Sequence, residues 1–183
     1  MRAFVRIGAA GALVALTIAL AGCATPADKK AMTVAAPATA TGKQYPYSVS
    51  VATSGGKGTG AMESSNIDNA DLKAAIEASI KETRLFKEVV QGKDGQYELT
   101  VNVVELSKPS FGLTFTVDLE AGWTLVRTSD KQVVYRKSLK SSGTATFSDA
   151  FAGVVRLRLA VENAAKANIA QGLAAIGELN LNI

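Results

Sequence analysis

Eight apolar residues occupy consecutive odd positions near the middle of the chain: Phe111, Leu113, Phe115, Val117, Leu119, Ala121, Trp123 and Leu125. Gly112, Thr114, Thr116, Asp118, Glu120, Gly122 and Thr124 stand between them. A period of two predicts a long strand with one dry face and one wet face, the signature of an antiparallel sheet covered on one side. Turns are expected on either side, at Lys108-Pro109-Ser110 and Thr128-Ser129-Asp130-Lys131. Tyr45, Tyr47, Val49 and Val51 alternate with Pro46, Ser48 and Ser50 in the same way, and Pro46 favours an edge or a first strand position. Further strands are predicted through Tyr97, Leu99, Val101 and Val103, after a Gly92-Lys93-Asp94-Gly95 turn, and through Val133, Tyr135 and Leu139 toward Phe147.

Two segments carry the helical period instead. Asp68 is a candidate cap, Asp71 lies in the first turn, and Leu72, Ala75, Ile76, Ser79, Ile80 and Thr83 share one face, with Leu85 and Phe86 closing the helix. From about Ala150 to Ile176, a stripe of Val154, Leu157, Val161, Ala164, Ala165, Ile169, Leu173 and Ile176 predicts a second helix that Gly177 would stop. The order of strand, helix, several strands and helix argues for an α+β two-layer sandwich. It would have a mainly antiparallel sheet of four to five strands and two helices packed on one face.

The 183 residues suffice for one such domain. The chain has no histidine and one cysteine, Cys23, which removes Ser-His-Asp and Cys-His nucleophile sets, clustered zinc ligands and an internal disulfide. No metal or dissociable cofactor is expected. The lone cysteine ends the N-terminal region: Arg2 and Arg6 precede an apolar run from Ile7 to Leu20 that is too short to span a bilayer. Residues 1–22 read as an export signal. From Ala24 to Lys43 the chain is rich in Ala, Thr, Pro and Lys, includes Pro26 and Pro37, and is expected to form a flexible tether unable to bury a core. Residues 44–183 would then be a single domain. Loss of Arg2 and Arg6 with the leader brings the net charge to about +2, and no basic cluster interleaved with aromatics suggests nucleic acid.

Leu20-Ala21-Gly22-Cys23 resembles a bacterial lipobox. The resemblance implies cleavage between Gly22 and Cys23, a diacylglycerol thioether on Cys23 and an acyl chain on its new amino group; these covalent lipids are the only attached groups expected. Several acyl chains make a durable anchor where one would not. Ala24, in place of aspartate, implies by the same resemblance an outer-membrane destination, with the domain facing the periplasm. The anchor, the Ala/Thr/Pro segment, the helix from Asn69-Ala-Asp-Leu-Lys, the long meander and the closing helix with Ala164-Ala-Lys-Ala-Asn-Ile169 together resemble small periplasmic lipoproteins of envelope assembly and transport. That group includes auxiliary lipoproteins of ABC-type lipid transport, the lipopolysaccharide-assembly lipoprotein and the periplasmic domain of the curli-secretion lipoprotein. The resemblance implies a non-catalytic accessory protein that binds an envelope partner, and it transfers no partner-binding residue.

Candidate chemistry is sparse. Asp118 and Glu120 stand two apart on the wet face, where two carboxylates can divide acid and base roles in glycan hydrolysis; the simpler reading is a soluble sheet face. Thr114 and Thr116 extend that row, which makes Thr114, Thr116, Asp118 and Glu120 candidate partner-binding residues. Lys57, in Gly55-Gly56-Lys57-Gly58-Thr59-Gly60, is another, because a glycine-rich loop can move to meet a partner. The loop lacks the spacing of a phosphate-binding motif and the helix directly behind it. Trp123, in phase with the dry face, is expected in the core rather than against a ligand. Arg156, Arg158 and Lys166 are expected as solvated charges on the outer side of the last helix, with contact to anionic headgroups as the alternative. Two further functions stay open: an envelope enzyme acting on glycan or acyl groups through carboxylates, and a direct lipid or lipopolysaccharide binder with an apolar groove between sheet and helices.

Overall fold

A computed structural model describes residues 24–35, 43–60 and 63–182. Gly22 and Cys23 lie outside the described residues. The elements are α1 (Lys29–Met32), β1 (Tyr45–Ser54), α2 (Asn69–Thr83), β2 (Phe86–Val90), β3 (Tyr97–Ser107), β4 (Phe115–Arg127), β5 (Val133–Ala145) and α3 (Gly153–Gly177). The fold is α+β. Its five strands form one mixed sheet in the order β2-β1-β3-β4-β5. β1 runs parallel to both neighbours, whereas β3, β4 and β5 form an antiparallel meander. The expected mainly antiparallel sheet is thus antiparallel on one side only. The reason lies in the connection: α2 lies between β1 and β2, and a helical crossover returns the chain parallel.

α2 packs on β1 and β2 while α3 crosses β4 and β5, so both long helices lie on the dry face. Asp68 caps α2 by accepting from the Ala70 amide at 2.7 Å, and Leu72, Ala75, Ile76, Ser79 and Ile80 are buried as the period requires. α3 approaches very closely. A side chain at Gly143 of β5 would meet the α3 backbone at Ala160 and Ala164, and one at Gly172 would meet the Trp123 ring. Trp123 is fully buried, and its indole Nε1 donates to Asn168 Oδ1 at 2.8 Å. Asn168 Nδ2 in turn donates to the Leu139 carbonyl at 2.9 Å, so the one polar edge of the tryptophan is satisfied inside the core.

Three expectations change. Residues 24–35, read as part of a tether, pack onto the domain: Ala27, Met32 and Val34 are buried. A few apolar residues suffice when each fills a gap. The Asp28 amide donates to Glu162 at 2.9 Å and the Val34 amide to Ser79 Oγ at 2.9 Å, which fixes the segment across α3 and α2. Second, β4 begins at Phe115, and Phe111 and Leu113 are 87% and 71% exposed rather than on the dry face. The helix layer ends there, because α3 starts over Phe115 and no helix among the described residues covers an earlier position. Third, Arg156 is buried, not solvated. It shares a spacing-four row with Ala160, Ala164, Asn168 and Gly172, the row that faces the sheet.

Candidate functional site

The wet face of β3, β4 and β5 holds most of the predicted binding residues. The β4–β5 register sets Thr116 opposite Thr144, Asp118 opposite Ser142 and Glu120 opposite Lys140. Each pair bonds. The two threonine hydroxyls are 3.0 Å apart, Ser142 donates to Asp118 at 2.5 Å, Ser138 donates to Glu120 at 2.6 Å, and Lys140 lies 3.2 Å from the second Glu120 oxygen. β3 adds Ser107 opposite Asp118 and Glu105 opposite Glu120. Around them runs an open groove of about 560 Å³ lined by Glu105, Ser107, Asp118, Glu120, Lys140 and Ser142. The Ser138 hydrogen bond and then Lys140 hold the Glu120 carboxyl below the usual range. That is the wrong direction for a proton donor, which must keep its proton near neutral pH. The groove is a ladder of cross-strand pairs.

Thr114 and Lys57 lie apart from this ladder. Thr114 is exposed in the loop before β4. Lys57 pairs with Glu63 at 2.9 Å in a loop that lies along Val103–Leu106 of β3. The backbone amides that would have to cradle a phosphate are occupied: Gly56 donates to Asn69 Oδ1 at 2.8 Å and Lys57 to the Ile67 carbonyl at 2.9 Å. Gly55 has φ +74°, and a Cβ there would strike the Val103 carbonyl, so its glycine serves a turn and a close approach. Lys108 is drawn into the same corner and donates to the Ser65 carbonyl and Asn66 Oδ1, with burial pushing its amine down.

A second region was not read from the pattern. At the end of the sheet where β4 begins, Arg156 donates to the Ala150, Phe151 and Gly112 carbonyls at 2.9, 2.8 and 3.3 Å. Its guanidinium carbon lies 5.3 Å from the Phe115 ring centre and 5.5 Å from that of Phe147. One cation thereby ties the loop before β4 to the loop before α3. Both loops point apolar side chains outward: Phe111, Leu113, Phe147, Phe151 and Val154 are all exposed, and Phe147 and Phe151 meet edge to face at 5.3 Å. The available signal was the spacing of Arg156 from Ala160 and Ala164, which marks it as inward-facing.

The N-terminal segment reaches this neighbourhood. Arg158 donates to Thr25 Oγ1 at 3.1 Å, Ser65 Oγ donates to the Thr25 carbonyl at 2.8 Å, and the Ala27 amide donates to the Asn66 carbonyl. Glu162, which receives the Asp28 amide and faces Arg158 at 3.5 Å, has its carboxyl raised by burial. Lys166 is exposed on α3, as expected. Among the described residues no helix is long and apolar enough to cross a membrane, and no cluster of acidic or cysteine side chains could hold a metal ion.

No family model matches the chain, and no curated protein matches it. Solved structures do. The chain is similar to protein XCC0632 from Xanthomonas campestris with a TM-score of 0.56 at 13% identity, covering 79% of this chain and 87% of that one. It is also similar to the hypothetical protein CT253 from Chlamydia trachomatis, with a TM-score of 0.53 at 6% identity, covering 72% and 96% respectively. These two likenesses establish a shared α+β fold. A looser likeness to lipoprotein GNA1162 from Neisseria meningitidis has a TM-score of 0.38 at 13% identity and covers 60% of this chain and 90% of that one; at that score it bears on neither fold nor function.

Proposed function

We propose that the protein is a lipid-anchored, non-catalytic accessory protein that faces the periplasm from the outer membrane and binds a partner in envelope assembly or in lipid or polysaccharide transport. The Leu20-Ala21-Gly22-Cys23 sequence supports the anchor. The observation that carries the binding role is the wet sheet face, whose carboxylates are committed to cross-strand serines and Lys140 and whose groove is open and polar. Thr116, Asp118 and Glu120 are the residues proposed to meet a partner there, with Thr114 and Lys57 at its margins. The short edge strand β2 offers a second docking element, because an unpaired strand edge accepts another strand.

The enzyme reading fares worse for a specific reason. Glycan hydrolysis needs one carboxyl with a raised pKa, and the Ser138 and Lys140 contacts hold Glu120 in the other direction, which argues against Glu120 as the acid. A lipid cavity between sheet and helices is disfavoured too, since Trp123, Leu125, Ile169, Leu173 and Ile176 fill that space. Crosslinking mass spectrometry on intact cells, with the native chain and the Cys23→Ala variant side by side, tests the proposal. Reproducible crosslinks from the β4–β5 face to one envelope complex, lost when the anchor is removed, are expected. Crosslinks to abundant neighbours alone would overturn the accessory role.

A further inference from the structure

We propose that the end of the domain carrying Phe111, Leu113, Phe147, Phe151 and Val154 rests directly on the bilayer that holds the Cys23 acyl chains. The inference depends on the anchored reading above and adds an orientation and a contact to it. Three observations converge. First, among the described residues five of the seven large apolar side chains that are exposed, including every exposed phenylalanine, lie in two adjacent loops and the first turn of α3, with Phe111 and Phe151 at 87% and 82% exposure; Val104 and Val133 stand apart from them. Phe111 and Leu113 stand on one loop and the edge-to-face Phe147–Phe151 pair on the other, an exposed set of loop tips that suits the soft interfacial zone of a membrane.

Second, the loops are braced for it. Arg156 binds the Ala150, Phe151 and Gly112 carbonyls from below, so those three backbone groups are satisfied without water. Two nearby charged side chains are held by neutral partners within the domain. The Asp149 carboxylate accepts from the Thr146 amide at 2.7 Å and its hydroxyl at 2.8 Å, and Lys108 is bound to Ser65 and Asn66.

Third, the chain that would lead to the anchor arrives at the same end. Asp28 is bonded to Glu162, and Thr25, three residues earlier, to Arg158, which is one helical turn nearer the start of α3. Val154 lies one further turn in that direction. Two peptide units separate Thr25 from Cys23, a reach of at most about 7 Å. With residues 24–35 packed on the domain, little free chain remains to hold these loops away from the lipid. The anchor thereby keeps the tips at high effective concentration beside the bilayer, where a weak intrinsic affinity is enough.

The test uses the full lipid-modified chain reconstituted into vesicles of phosphatidylethanolamine and phosphatidylglycerol that carry a nitroxide quencher on their acyl chains. A single cysteine is introduced by Phe111→Cys, by Phe151→Cys or, at the opposite end of the sheet, by Asp94→Cys, and labelled with an environment-sensitive fluorophore. All three sites are exposed, so folding is undisturbed. The labels at 111 and 151 are expected to shift to the blue and to be quenched several-fold more than the label at 94. Equal quenching at all three sites, with Cys23 acylated by mass, would overturn the contact and leave the anchor standing. Uptake of label by Cys23 in the unsubstituted chain would show a free thiol and remove both. A blue shift that ignores the quencher and grows with protein per vesicle would assign the tips to a second copy and overturn the inference.

Discussion

An arginine sits at each end of the sheet, and the two are built in opposite ways. Arg127 closes the end where β4 finishes: it pairs with Asp130 at 2.7 Å, donates to Gln132, and holds the Asn182 carbonyl at 3.1 Å. Its own partners stand at the surface, but the latch on the C-terminal tail also draws on two buried phenols. Tyr45 and Tyr97 complete that latch by donating to the Leu179 and Asn182 carbonyls. Arg156 at the other end, among the described residues, bonds three carbonyls and faces two aromatic rings with no carboxylate paired to it, and it is 5% exposed. A polar latch is a way to finish a sheet in water. A buried cation under outward-facing phenylalanines is a way to stiffen two loops from inside.

The largest perturbation should erase the distinction. Trp123→Ala removes the side chain that α3 rests on and is expected to cost about 3–5 kcal/mol in urea unfolding, with hydrogen exchange rising at both ends together. Arg156→Met should separate them. It leaves the Ala150, Phe151 and Gly112 carbonyls without their donor, at about 2–3 kcal/mol, and the exchange increase should be confined to residues 108–114 and 146–153. High pH should act on the other end. Burial pushes the Tyr45 phenol from its ordinary 10 up to about 12, and Tyr97 also moves up for the same reason. A phenol whose folded pKa is raised contributes its full stability below the unfolded value and loses it as pH climbs through the folded one. The tail latch should therefore open between about pH 10 and 12, seen as exchange of residues 178–182 and a tyrosinate absorbance step, while the Arg156 end lags.

Smaller effects sharpen the contrast. Arg127→Ala should leave the denaturation midpoint nearly unchanged, because its ion pair is solvent-screened, yet should mobilise the tail in NMR relaxation. Phe111→Ser combined with Phe151→Ser should change stability by no more than about 0.5 kcal/mol, since neither ring is packed in the core, while raising solubility and weakening the vesicle contact proposed for these tips.

The sequence revealed what depends on local period. The Phe115–Leu125 alternation, the Asp68 cap and the core position of Trp123 all follow from spacing along one element. The wet-face row followed too, down to Thr116, Asp118 and Glu120. What did not follow depends on neighbours. Alternation says which way a side chain points but not whether the next strand runs parallel, so the β1–β2 and β1–β3 pairings were invisible. Phe111 and Leu113 keep the phase of β4, yet phase cannot say where the covering helix ends. Ala27, Met32 and Val34 are too few and too scattered to show a period, although tertiary contacts bury all three. Charge alone puts Arg156 in water, whereas its register with Ala160 and Ala164 turns it toward the sheet.

The bond between Asp28 and Glu162 joins residues 134 positions apart. Its consequence is temporal. A chain that emerges N-terminus first can form the β1–α2–β2 unit early, and residues 24–35 can meet Ser65, Asn66 and Ser79 with it, but their Asp28 and Thr25 contacts to Glu162 and Arg158 wait for α3. Such non-local closure slows the last step of folding. A chain ending before Gly153 would hold that segment from one side only, and completion of α3 is the event that closes the other.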